Sequence, residues 1–170
     1  MERAERKKLS TTWLTKKQIL DSRRLPFTIA AYNISEINLG NLVRTAHCFT
    51  VQEIIFIGEK PRYAGDRGSL VWENLKHINT VDEFLLYTKD KNLVSVELDP
   101  NAIDIREIKC YPDNPIFILG TEIQGNGVPK EIINKSKLIV KIPQFGYVPC
   151  LNVATAGAII MYDWIVKTLK

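Results

Sequence analysis

Three stretches of the chain carry polar side chains at spacings that can do chemistry. Asn38-Leu-Gly-Asn-Leu-Val-Arg44 sets an amide and a guanidinium six residues apart, at the opening of a helical pattern. An amide orients a neighbour, and a guanidinium takes a phosphate bidentately or stabilises developing negative charge. Gly120-Thr-Glu122-Ile-Gln-Gly125-Asn-Gly127 is a glycine-rich loop with one carboxylate, placed directly after an apolar run that ends at Leu119. Cys150-Leu151-Asn152 opens the last helical pattern with a thiol, which is a weak donor and acceptor, and a second amide. Each stretch also has a plain structural reading. Asn38 and Asn152 are at helix-capping positions, Arg44 fits a helix surface, Gly120 fits a strand-ending turn, Ile142 and Leu151 fit core packing, and Glu122 fits an exposed loop.

The common ligand motifs do not account for these residues. Gly120 and Gly125 have the G-x-x-x-x-G spacing of a phosphate loop, but Asn126 and Gly127 stand where Lys and Ser/Thr are required. The G-x-G-x-x-G dinucleotide fingerprint is missing from the chain. No serine sits in a G-x-S-x-G setting, and the two histidines, His47 and His77, are far apart in sequence. A Cys–His dyad using Cys150 has no sequence feature that pairs its members. The histidines, the cysteines and the acids form no metal-ligand pattern, so no metal is expected.

The elements that must position these residues alternate. Apolar runs of strand length fall at Phe27–Tyr32, Glu53–Ile57, Leu93–Glu97, Pro115–Leu119 and Leu138–Ile142. Helical spacing falls at Thr11–Asp21, Leu39–Phe49, from the Thr80-Val-Asp-Glu83 capping box to about Lys89, Pro129–Asn134 and Leu151–Lys167. Continuous apolar strands between helices predict an α/β fold, a mostly parallel sheet covered by helices on both faces. The last helix is apolar on most of its circumference and needs more than one partner surface, one of which can be a second subunit.

Composition bounds the rest. The chain has 170 residues, 45% hydrophobic and 25% charged, which excludes disorder for its bulk and fits one domain. The net charge of +4 is concentrated: residues 1–24 hold eight Lys/Arg and three acids, against fifteen and sixteen in the remainder. This divides the chain into a basic N-terminal extension, residues 1–24, and a domain over residues 25–170. A basic arm of that kind suits a polyanion such as RNA, or only solubility. Neither a secretory signal nor an apolar stretch of about 20 residues that could span a membrane is recognised. Three cysteines, Cys48, Cys110 and Cys150, are odd in number and widely spaced, which points to a reducing, cytoplasmic setting.

Taken together, the Asn38–Arg44 segment, the Ile118–Gly125 segment and Ile142-Pro-Gln-Phe-Gly146-Tyr-Val-Pro-Cys150-Leu-Asn152-Val-Ala-Thr-Ala156 are specific in their order and spacing. The chain resembles the SpoU–TrmH family of the SPOUT superfamily, the RNA ribose 2′-O-methyltransferases, over roughly residues 25–168. The resemblance implies a C-terminal part tied in a deep trefoil knot, S-adenosyl-L-methionine as methyl donor, a homodimer with the active site at or near the interface, and a tRNA or rRNA substrate. It implies that Leu119, Gly120, Ile142 and Leu151 hold the cofactor. It implies that Arg44, Asn38, Glu122, Asn152 and Cys150 form the catalytic set. Because an arginine keeps its proton at physiological pH, positioning and charge stabilisation are the roles expected of Arg44, rather than general base. The chain departs from the family at two points: Cys150 stands where Ser is usual, and Ile123 stands where glycine more often follows the glutamate. Two further readings are a non-catalytic RNA-binding SPOUT protein, for which Cys150 speaks, and an enzyme that methylates a base nitrogen.

Overall fold

The computed structural model describes residues 15–59, 67–121, 127–148 and 150–169. Residues 15–21 are helical (α1). They are followed by β1 (Leu25–Tyr32), α2 (Glu36–Cys48), β2 (Val51–Ile57), β3 (Leu75–Ile78), α3 (Val81–Tyr87), β4 (Asn92–Val96) and β5 (Ile103–Asp104). Then come β6 (Pro115–Leu119), α4 (Lys130–Ile133), β7 (Leu138–Lys141) and α5 (Val153–Thr168).

The seven strands form one sheet in the order β3-β2-β1-β6-β4-β7-β5. Every strand pair is parallel. Two late strands are inserted between earlier ones: β6 lies between β1 and β4, and β7 lies between β4 and β5. The period of two along each strand divides the core into two layers. Phe27, Ile29 and Ala31 of β1 and Phe117 and Leu119 of β6 face α2 and α5. Ala30 of β1 and Ile116 and Ile118 of β6 share the opposite layer with Phe84 of α3 and Ile132 of α4. Helices therefore cover both faces, as the apolar runs predict, and all five residues of β6 are buried.

The structure corrects several boundaries. β3 and β5 have no counterpart in the sequence reading: β3 is a four-residue strand on the sheet edge with Lys76 and His77 at its middle, and β5 has only two residues. α2 begins three residues earlier than its apolar spacing suggests, because Ser35 is its N-cap and its Oγ accepts from the backbone N–H of Asn38 at 3.4 Å. Asn38 is thus inside the first turn and not the cap. α3 stops at Tyr87 and not at Lys89. At its start Thr80 Oγ1 accepts from Glu83 N at 3.2 Å, but Glu83 Oε2 accepts from Asn79 N, one residue before the position a capping box requires. Residues 11–14 of the expected first helix, and residues 61–66 of the charged loop, lie outside the described residues.

Two contacts hold α5 in register. A Cβ on Gly157 would stand 2.5 Å from Leu42 Cδ1 and 3.0 Å from Leu119 Cδ1, so a glycine here lets α5 settle directly onto α2 and β6. Near its C-terminus, Tyr111 Oη donates to Asp163 Oδ2 at 2.5 Å and Lys167 Nζ donates to the same oxygen at 2.7 Å. Burial and that carboxylate push the Tyr111 hydroxyl well above its ordinary ionisation range. Gly157→Val overpacks a close-packed junction. It is predicted to lower stability by about 2 kcal/mol, and thermal denaturation should show a Tm fall of roughly 4–8 °C.

Candidate active site

In a parallel sheet, loops at the carboxyl ends of the strands make the natural crevice for a ligand. Here the neighbouring strands β6, β4 and β7 end at Leu119, Val96 and Lys141, and the chain just past each end lines one cavity of about 460 Å³. Its wall takes Glu97 and Leu98 after β4, Gly120, Thr121 and Gly127 after β6, Ile142 and Gln144 after β7, and Cys150 to Val153 at the approach to α5. That volume is in the range of sites for small organic cofactors.

Backbone approach shapes the wall. The segment at Gly127 and Val128 crosses so near the end of β6 that a Cβ on Gly120 would overlap its backbone. Thr121 N donates to the Gly127 carbonyl at 3.1 Å across the same crossing. Gly127 has φ +58°, a left-handed conformation that suits glycine. A Cβ at Gly127 would also overlap the Glu97 carboxylate. That carboxylate accepts from Val128 N at 2.7 Å and from Leu98 N at 2.8 Å. Glu97 thereby clips the loop after β6 to the end of β4.

The two asparagines singled out by the sequence meet. Asn152 Oδ1 accepts from Ala154 N at 3.0 Å and Thr155 N at 3.2 Å, which caps α5. Asn152 Nδ2 donates to Asn38 Oδ1 at 2.9 Å, which joins the first turns of α5 and α2 beside the cavity. The expected cofactor residues Leu119, Gly120, Ile142 and Leu151 all line the cavity, together with Cys150 and Asn152. Arg44 does not line it; it is exposed on α2, about 120° round the helix from Asn38. Glu122 lies outside the described residues.

Neither histidine faces the cavity. His47 Nδ1 is 2.7 Å from Glu73 Oε1, and His77 Nε2 is 2.7 Å from the Gly58 carbonyl. A Cys150–His dyad therefore has no geometric basis. Among the described residues, no three His, Cys, Asp or Glu side chains gather where a metal ion could be held. Also among them, no helix is long and apolar enough to cross a membrane. Among the wall residues that the sequence does not single out, which include Leu98 and Gln144, Glu97 is the charged one. Its only sequence signal is an acid placed directly at the end of an apolar strand.

These features coincide with a family pattern. The model of the family described as SpoU rRNA Methylase matches residues 26–162. The chain belongs to the SpoU rRNA Methylase family. A relative, the tRNA (guanosine(18)-2′-O)-methyltransferase of Aquifex aeolicus, is 25% identical over 155 residues, covering 86% of this chain and 72% of its own. The enzyme of the same description from Escherichia coli strain K12 is 28% identical over 132 residues, covering 74% and 56%. This chain thus spans little more than half of the Escherichia coli relative. Among solved structures, the Aquifex aeolicus TrmH/SpoU tRNA modifying enzyme superposes with a TM-score of 0.79 at 24% identity, over 94% of this chain and 83% of that one. The AdoMet-bound rRNA methyltransferase of Sinorhizobium meliloti superposes with a TM-score of 0.75 at 22% identity, over 85% and 57%. At those identities the structural likeness speaks for the fold.

The Asn38–Asn152 hydrogen bond is open to a direct energetic test. Asn152→Ala removes the cap of α5 and is predicted to cost about 1 kcal/mol. In a double-mutant cycle with Asn38→Ala, chemical denaturation should give a coupling of roughly 0.5–1.5 kcal/mol. A coupling near zero would mean the two amides do not bond in solution.

Proposed function

We propose that this chain is an S-adenosylmethionine-dependent methyltransferase that acts on a ribose 2′-hydroxyl of RNA, with tRNA as the favoured class. The observation that carries this reading is the single cavity that gathers Leu119, Gly120, Ile142 and Leu151 next to the Asn38–Asn152 pair. The names of the two relatives favour tRNA.

The cavity suits the cofactor on its own chemistry. The crossing at Gly120 leaves backbone where a side chain would otherwise fill the space, and backbone N–H and C=O groups are what an adenine edge requires. Leu119, Ile142, Leu151 and Val153 add apolar wall, and Glu97 adds a carboxylate. The bound cofactor would supply a methyl group on a sulfonium, open to in-line displacement by the ribose oxygen. The protein has to bring that oxygen to about 3 Å from the methyl and manage its proton. In this reading Arg44 holds the adjacent phosphate and stabilises the developing negative oxygen. Asn38 and Asn152 orient the groups around it. Cys150 lines the wall at the position where the family resemblance leads one to expect a serine, and Glu122, which lies outside the described residues, is the carboxylate that the resemblance adds to the catalytic set.

RNA contacts are proposed at the mouth and on the basic extension. Phe145 and Tyr147, in the loop between Ile142 and Cys150, are 86% and 107% exposed, and Arg106 lies 5.6 Å from the Phe145 ring. Exposed aromatics with a cation alongside suit unstacked bases. Within the extension, Arg24 is already committed, since it pairs with Asp21 and the buried Glu73. Lys17 pairs with Asp21, so residues before it and Arg23 are the better candidates.

The finer architecture belongs to the same proposal. A deep trefoil knot is supported by the insertion of β6 and β7 between earlier strands and by the crossing at Gly120. A homodimer is supported by the outer face of α5, where Tyr162 and Val166 are more than half exposed beside Ile159. Three exposed free cysteines fit a cytoplasmic setting.

Methyl transfer from labelled S-adenosylmethionine to total tRNA and to rRNA tests the activity. The expected result is label in tRNA in alkali-resistant linkages, reduced at least about 100-fold by Arg44→Ala. Absence of label with RNA binding intact would favour the non-catalytic RNA-binding reading, for which Cys150 is the supporting feature. Sedimentation should find a dimer, and Tyr162→Asp should convert it to monomer, since a charge on an apolar interface is strongly disfavoured.

A further inference from the structure

Among the described residues that line the cavity, Glu97 is the one charged side chain. It is half-buried at the carboxyl end of β4, and the backbone holds it in place. Its own N–H donates to the Val140 carbonyl at 2.9 Å, while its carboxylate accepts from Leu98 N and Val128 N. A Cβ at Gly127 would overlap that carboxylate. The side chain is thus held between the end of β4 and the segment at residues 127 and 128, and cannot swing away without breaking two hydrogen bonds.

A locked carboxylate in a partly desolvated wall acts on charge more strongly than one in bulk water. The methyl donor carries a positive sulfonium, and the product left after transfer carries a neutral thioether of nearly the same shape. Apolar wall and backbone groups cannot tell the two apart, because both ligands present the same adenosine and amino-acid ends. We infer that Glu97 is the specificity-determining residue of the cavity, whose carboxylate favours the cationic methyl donor over the neutral product. The inference rests on the reading of the cavity as the S-adenosylmethionine site. Such a residue also eases turnover: the attraction that helps to hold the donor is lost as soon as its methyl group has gone.

Calorimetric binding to the full chain tests this with three probes: S-adenosylmethionine, S-adenosylhomocysteine and sinefungin. The last carries an ammonium group in place of the methylsulfonium and is therefore a cation. In Glu97→Gln the affinity for both cations should fall about tenfold relative to that for the neutral ligand. Glu97→Asp, which draws the charge back by one methylene, should lower the same ratio about threefold. The ratio isolates charge, because loosening of the loop clipped by Glu97 weakens all three ligands alike. Either variant suffices if the other does not fold, as judged by circular dichroism. An unchanged ratio in a folded variant overturns the inference and leaves the cofactor reading intact. A wild-type protein that binds none of the three overturns both.

Discussion

At the carboxyl end of the sheet the backbone leaving β6 is crossed closely by a later segment of the chain, and β4 and β7 end beside that crossing. The tightest point is the crossing of residues 127 and 128 over Gly120, where even a methyl group has no room. The rest of the site follows from that crossing. It obliges Gly127 into a left-handed conformation. It brings Val128 N within reach of the Glu97 carboxylate, and Thr121 N within reach of the Gly127 carbonyl. Because β6 lies between β1 and β4, the same crossing falls at the centre of the sheet, where strand ends on both sides can contribute. The cavity lies beside this crossing, and its lining is set by where each strand stops.

The second half of the site depends on two helices that start at its rim. α2 follows β1 and α5 follows the loop after β7, and they lie together on one face of the sheet. Their mutual position is fixed along their length by Gly157 against Leu42 and at their first turns by Asn152 against Asn38. Far from the rim, Arg24 and Glu73 form an ion pair whose side chains are 2% and 0% exposed, with His47 on the remaining Glu73 oxygen. Breaking such a buried pair from one side commonly costs 3–5 kcal/mol, so it anchors the lower end of α2 against β2 and β3. The polar groups that would act on substrate thus sit on elements held at both ends.

Much of this order is legible in the sequence, and what is not has physical reasons. β1, β2, β4 and β6 are buried on both faces and read as continuous apolar runs. β3, with Lys76 and His77 in its four residues, pairs only with β2 and carries no such run. The grouping of Gly120, Ile142, Leu151 and Asn152 could be anticipated from motif order. The partner of Asn38 could not, since it is 114 residues away, and local spacing favoured a cap that Ser35 provides instead. Glu97 stands out only weakly for a similar reason: its role comes from a segment 31 residues later. Arg24 counted as part of a basic arm by composition, whereas its burial comes from a segment far along the chain.

We propose that this crossing of backbone makes a seat for S-adenosylmethionine, with the two asparagines at its edge. A crystal structure of the chain with that cofactor would show where it binds. The ligand is expected in the cavity bounded by Glu97, Gly120, Ile142 and Leu151, with its methyl group directed towards Asn38 and Asn152. A cofactor bound elsewhere, or a cavity that stays empty at saturating concentration, would contradict it.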